Sequence, residues 1–206
     1  MGTHKFKIIK SVLGKEIGPA WPLFMLKCLL IKNVPFKNTQ WFKTRGAETE
    51  YAKRLSLLAA AYTQLQKKSG RENALAIMQK LIIPLGCNET TILIESLRIS
   101  PEKSMDLLIA YLNLVDTKGV GRFCKSETTY DANVCRRVVE RCLFHDFFSQ
   151  TGMPELTAFF CEVDRKFYTK AFPGFRFHRN GSWENTIAFG KDHCEFVFES
   201  RLRIKE

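Results

Sequence analysis

Several patterns that usually announce a protein's chemistry are missing from this sequence. Its seven cysteines (Cys28, Cys87, Cys124, Cys135, Cys142, Cys161 and Cys194) form no C-x-x-C pair, follow no regular spacing and are odd in number. That argues against a disulfide framework and for reduced thiols in a reducing cytosol. No zinc-finger, RNP-type or glycine-rich phosphate motif is present, and there is no internal repeat or low-complexity segment. A long apolar run is also lacking. The longest, Ile17 to Ile31, is about fifteen residues, below the ~20 of a spanning helix, and is broken by Pro19, Pro22 and Lys27. It has no charged start followed by a small-residue cleavage site, so it does not read as a signal peptide. No stable membrane insertion is expected and the location is expected to be cytoplasmic; a buried helix or a membrane-surface segment fits this stretch.

Acid is scarce in the first half: residues 1–100 carry 16 Lys or Arg against 6 Asp or Glu, within a formal net charge of +11 for the whole chain. Such an excess can steer a protein to nucleic acid, an anionic membrane or an anionic small substrate. The cations are dispersed along helical faces with no accompanying motif, which favours a solvated basic surface, and no nucleic-acid partner is expected. What is plentiful is hydrophobic side chain, 45% of the 206 residues with 17 Phe, the composition of a packed core. One domain over 1–206 is expected, a helical scaffold over 1–118 and an α+β portion over 119–206.

Apolar residues Tyr51, Leu55, Leu58, Ala59, Tyr62 and Leu65 follow helical spacing up to Ser69-Gly70. A second helix starts near Arg71 with Ala74, Met78, Leu81 and Leu85 on one side and is predicted to stop around Pro84 to Gly86, where proline removes an amide. A short third helix is predicted from Asn88 to Leu97. A fourth opens at Ser100-Pro101 and places Met105, Leu108, Ile109, Leu112 and Val115 on one face. Beyond Gly119 the pattern changes: a loop through Tyr130, a strand ending the stretch Val134 to Cys142, a short helix Leu143 to Gln150, and a helix from Pro154 to about Tyr168. Phe175 to Arg179, Trp183 to Phe189 and Cys194 to Ser200 read as strands, with Gly190-Lys191-Asp192 as a turn. The fold class is therefore α+β, a helical N-terminal half packed on a small antiparallel sheet with C-terminal helices.

On the helix opened by Pro154, Thr157, Cys161, Asp164 and Tyr168 recur at i, i+4, i+7 and i+11, which aligns a thiol, a carboxylate and a phenol on one flank beside the apolar stripe. Small core filler and solvated carboxylate are the bland reading of the same spacing. Cys142 and His145 lie three apart at a strand-to-helix junction, and His193 and Cys194 start the last strand. These four have donor types that suit a metal but no recognised zinc-site rhythm, and no metal and no cofactor is expected. Strand alternation puts Phe175, Phe177 and Arg179 on one face, and Cys194, Phe196 and Phe198 on one face. Cys161 and Asp164 are expected to meet Arg179 or Cys194 across one pocket.

Arg141-Cys142-Leu143-Phe144, Gly152-Met153-Pro154-Glu155-Leu156, Cys161-Glu162-Val163-Asp164, Pro173 with Phe177 and Arg179, and Gly190-Lys191-Asp192-His193-Cys194-Glu195-Phe196 occur in this order. The series resembles the L-2-amino-thiazoline-4-carboxylic acid hydrolase family: R-C-x-[YF], G-x-P-E-L, C-x-x-D, P-x3-[FL]-x-R and G-x-D-x-C-D-F. The chain departs in having Phe160 where a second cysteine is common, Glu195 for an aspartate, and a stretch from Arg179 to Gly190 about four residues longer. The resemblance implies hydrolytic opening of a small sulfur- or nitrogen-containing heterocycle. It casts Cys161 as nucleophile, Asp164 as base or holder of the amidine, and Arg179 as partner of a substrate carboxylate. Cys194 and Cys142 become second or wall thiols, Tyr168 a pocket group, and His145 and His193 proton carriers. The strand, helix and Cys-x-Phe hairpin also look somewhat like the 4-vinyl reductase type of small-molecule-binding domain, which needs a pocket but no catalysis.

Overall fold

The computed structural model describes residues 3–97 and 105–201. The fold is α+β, with helices and one four-stranded antiparallel sheet. The chain forms two compact units, Met1–Gly86 with Phe144–Phe160, and Cys87–Leu143 with Cys161–Glu206.

The first unit is helical: α1 (Thr3–Ile17), α2 (Trp21–Ile31), α3 (Asn33–Lys37), the larger part of α4 (Ala47–Glu95), and nearly all of α6 (Leu143–Gln150). In α4 the helical stripe Leu55, Ala59, Tyr62 and Leu65 is buried, as its spacing predicts. The predicted break sits at Gly70, whose φ of 80° is a left-handed conformation that costs glycine little. The expected stop at Pro84 does not occur; helix continues to Glu95 and absorbs the short helix predicted from Asn88. Pro84 and Lys80 are both exposed, so water can satisfy the Lys80 carbonyl that proline leaves without an amide partner. After α6, Gly152 at φ 75° lets Met153 N–H reach the Phe148 carbonyl at 2.7 Å, a glycine helix stop. Glu155 then accepts from Tyr62 Oη at 2.8 Å and Arg71 Nη2 at 3.1 Å, and Leu156 is fully buried. The G-x-P-E-L segment is thus a fastening of this unit.

The second unit holds α5 (Met105–Thr117), β1 (Lys125–Tyr130), β2 (Val134–Arg141), most of α7 (Thr157–Ala171), β3 (Phe175–His178) and β4 (Cys194–Ser200). The serine and proline expected to open α5 lie outside the described residues. Strand order is β1-β2-β4-β3, antiparallel throughout. Register pairs Cys135 with Phe198, Arg137 with Phe196, Val139 with Cys194 and Phe177 with Phe198. One sheet face therefore carries these side chains, and it packs with Leu108, Tyr111 and Leu112 of α5 and Phe167 and Tyr168 of α7 into the core of the unit.

Two strand expectations are corrected. The segment read as a loop is β1, an edge strand whose Lys-Ser-Glu-Thr-Thr-Tyr sequence lacks apolar alternation because little of it is buried. The stretch read as a strand from Trp183 to Phe189 is a loop with a 3-10 turn at Ile187–Phe189. Asn180 and Gly181 have φ of 46° and 107°, and the Asn185 side chain bonds the Asn180 carbonyl at 2.9 Å, which curls the chain away from sheet pairing.

Candidate active site

Strand parity puts Arg179, just past β3, on the inner face with Phe175 and Phe177, and it is 1% exposed. Its Nη2 donates to Asp164 Oδ2 of α7 at 2.9 Å, and its guanidinium carbon lies 3.7 Å from the centroid of Phe196 on β4. Cation–π attraction and one charged hydrogen bond hold the group, yet Nε and Nη1 have no hydrogen-bond partner among the described residues. A buried guanidinium with two idle donors is costly on its own and suits an anion that is brought to it.

Asp164 is surrounded by protein on most sides but keeps 31% of its side chain exposed. Burial pushes its carboxyl up to about 6, against the opposing pull of Arg179. Cys161, one helical turn before, donates its weak S–H toward Thr186 Oγ1 at 3.9 Å. Burial pushes this thiol up to about 12; Arg179 opposes the shift, whereas Asp164 and Cys194 add to it. Cys194 is also raised by burial, and its sulfur accepts the Ile187 N–H at 3.2 Å. The structure brings Cys161, Asp164, Arg179 and Cys194 together. The loop between Arg179 and Gly190 carries the Thr186 hydroxyl and the Ile187 amide that meet the two thiols.

Other candidates are placed differently. Tyr168 is buried against Tyr111, Phe177 and Phe198, with its hydroxyl pushed well up first by burial and then by Asp164, so it is a wall of the aromatic core. Cys142 is half-buried just after β2. His145 belongs to the first unit, its Nε2 3.3 Å from Ser149 Oγ. His193 is exposed on the turn before β4. Among the described residues no three His, Cys, Asp or Glu side chains converge as metal ligands.

Sequence reasoning missed Phe196 as the platform under Arg179, although alternation had put it on the inner face. It also missed Thr186, which no motif marked. A second buried cation escaped as well: Arg137 of β2, 4% exposed, forms a two-bonded pair with Asp116 of α5 at 2.7 and 2.5 Å, and also donates to Ser126 and Thr128 of β1. The buried parity of Cys135, Arg137 and Val139 was the available signal.

The second unit is thus an α+β fold whose sheet and helix set a carboxylate, an incompletely paired arginine and two thiols side by side. The model of the L-2-amino-thiazoline-4-carboxylic acid hydrolase family matches residues 49–198, and the chain belongs to that family. The family name describes hydrolysis of a thiazoline carboxylate. No curated protein and no solved structure matches the chain significantly.

Proposed function

We propose that this chain is a hydrolase that opens a small carboxylate-bearing ring of the 2-aminothiazoline type, with Arg179 receiving the substrate carboxylate and Asp164 acting as the base. The observation that carries the reading is the buried Arg179 with Nε and Nη1 unpartnered beside Asp164. In this reading Asp164 takes a proton from water, whose oxygen bonds to the ring carbon between nitrogen and sulfur. The carbon–sulfur bond breaks, Asp164 returns its proton to the leaving sulfur, and the second water proton ends on the ring nitrogen. The product is an N-carbamoyl cysteine, equal to substrate plus one water.

The alternative role for Cys161, direct attack, requires a thiolate. With its thiol pushed up to about 12, holding that thiolate near neutrality costs on the order of 5–7 kcal/mol before any bond forms. Water activation by Asp164 avoids this cost, which leaves Cys161 as a wall thiol and a proton-bearing neighbour.

Incubation of the purified chain with L-2-amino-thiazoline-4-carboxylate, read by mass spectrometry, is expected to yield the ring-opened species. Because the carboxyl is raised to about 6 and the base must be ionised, kcat/KM is expected to be low below pH 6 and to rise through about 6 to a plateau. A pH-independent rate would remove Asp164 as base. Phe177, Phe196 and Trp183 about Arg179 also fit a binding module. Stoichiometric ligand uptake with no product would select that reading.

A further inference from the structure

The first three helices bury one face and leave another bare. Ile9, Leu13, Cys28 and Phe36 are buried within their unit, whereas Leu23 (70% exposed), Leu26, Leu29, Leu30 (76%) and Val34 (62%) stand open. Leu23, Leu26, Leu30 and Val34 are spaced by three, four and four, so they form one stripe along α2 and α3. A contiguous apolar stripe of this kind is uncommon on a surface with no partner. Its frame is cationic. Residues 1–47 contain nine Lys or Arg and a single acid, Glu16, and that acid is taken by Lys80 at 2.7 Å. Lys7, Lys10, Lys15, Lys27 and Lys37 are exposed. Beside the stripe an open groove of about 450 Å³ is lined by Ile31, Val34, Pro35 and Met153, with exposed Lys27 and Lys67 at its walls.

The stretch His4–Lys37 is long and apolar enough in composition to cross a bilayer, but it is not one rod. Gly18, at φ 71°, interrupts it, and the Phe6 ring packs 5.7 Å from Trp21, fifteen positions later, which a continuous helix would hold far apart. α1 therefore folds back on α2. The latter, with 11 residues, is about 16 Å long, roughly half the ~30 Å hydrocarbon core. Apolar side chains on one face with lysines around them describe a helix pair that lies in a membrane interface.

From this we infer that α1–α3 form a docking surface for an anionic phospholipid bilayer. The apolar stripe enters the acyl boundary, the lysines meet lipid phosphates, and the groove at Lys27 and Lys67 accommodates a lipid headgroup over hydrocarbon. The surface uses none of the residues of the proposed ring-opening site and the inference does not depend on that proposal.

Co-sedimentation of the full chain with vesicles tests the inference. Phosphatidylcholine mixed with phosphatidylglycerol in roughly two-to-one ratio is expected to bind at least about tenfold more tightly than phosphatidylcholine alone, the preference being lost in high salt. The double substitution Leu26→Glu/Leu30→Glu, at exposed positions, is expected to abolish binding with an unchanged melting profile. Failure to bind anionic vesicles, or binding that survives the double substitution, overturns the inference. So does self-association that the same substitutions abolish without vesicle binding, since a second copy would then be the occupant. Resistance of cell-membrane-associated chain to alkaline carbonate would mean a spanning segment and equally overturns it.

Discussion

Replacing Asp164 by Asn is expected to lower kcat/KM for ring opening by about 10²–10⁴-fold, the range that a positioned general base contributes. Asparagine keeps an oxygen that can accept from Arg179 Nη2, now at 2.9 Å from the carboxylate, but it takes no proton from water. Because the change leaves the buried Arg179 charge facing only a neutral acceptor, some loss of stability is expected with it, and the kinetics are compared well below the melting transition. The folded carboxyl is raised from 3.8 to about 6, so its contribution to stability is present below 3.8 and is lost as pH rises through about 6. At neutral pH no stability of that origin remains to be removed. The matching change Cys161→Ala is expected to retain activity within about tenfold, because a thiol held near 12 is a poor thiolate source. Steady-state kinetics of the two variants, with melting curves as the fold control, separate the roles. A larger loss in Cys161→Ala than in Asp164→Asn would return the nucleophile to Cys161.

The largest stability effect is expected away from the proposed chemistry, at Asp116→Ala. The change strips Arg137, 4% exposed, of both strong bonds and leaves it with only the Ser126 and Thr128 hydroxyls. Stranding a buried charge costs about 3–5 kcal/mol. Asp116 is 37% exposed, so part of its pairing energy is already screened, and a loss of about 2–4 kcal/mol is expected in urea unfolding. The double change Asp116→Leu/Arg137→Met removes both charges and is expected to recover most of that loss. A double variant as unstable as the single one would show that packing, not the stranded charge, sets the effect.

The residues grouped at the proposed site were legible because they lie on regular elements. Cys161 and Asp164 share a helical flank by spacing, and Phe177, Arg179, Cys194 and Phe196 share a sheet face by parity, so two periodicities suffice to bring them together. Legibility failed where the local signal was not periodic. β1 is an edge strand that buries little, and nothing in Lys-Ser-Glu-Thr-Thr-Tyr distinguishes it from a polar loop. The loop after Arg179 is set by the left-handed residues Asn180 and Gly181 and by the side chain of Asn185, and the apparent alternation of Trp183 to Phe189 conceals that turn chemistry. Thr186 reaches Cys161 through this loop, so its role followed from no pattern. Pro84 failed as a stop signal because the exposed face of a helix can shed one hydrogen bond to water. The exposed stripe on α2 was visible only as an apolar run; which of its residues face inward depends on the fold-back of α1, which Gly18 permits.

In the proposed function, Arg179 receives the substrate carboxylate through its unpartnered Nε and Nη1. Calorimetric titration with thiazolidine-4-carboxylate and with thiazolidine, saturated rings that lack the amidine carbon, tests it without turnover. The natural chain is expected to bind the carboxylate-bearing ring about 10–100-fold more tightly, as one to two hydrogen bonds to a charged partner allow, and Arg179→Met is expected to erase that difference. Equal affinity for the two rings in the natural chain, or a preference that persists in Arg179→Met, would contradict it.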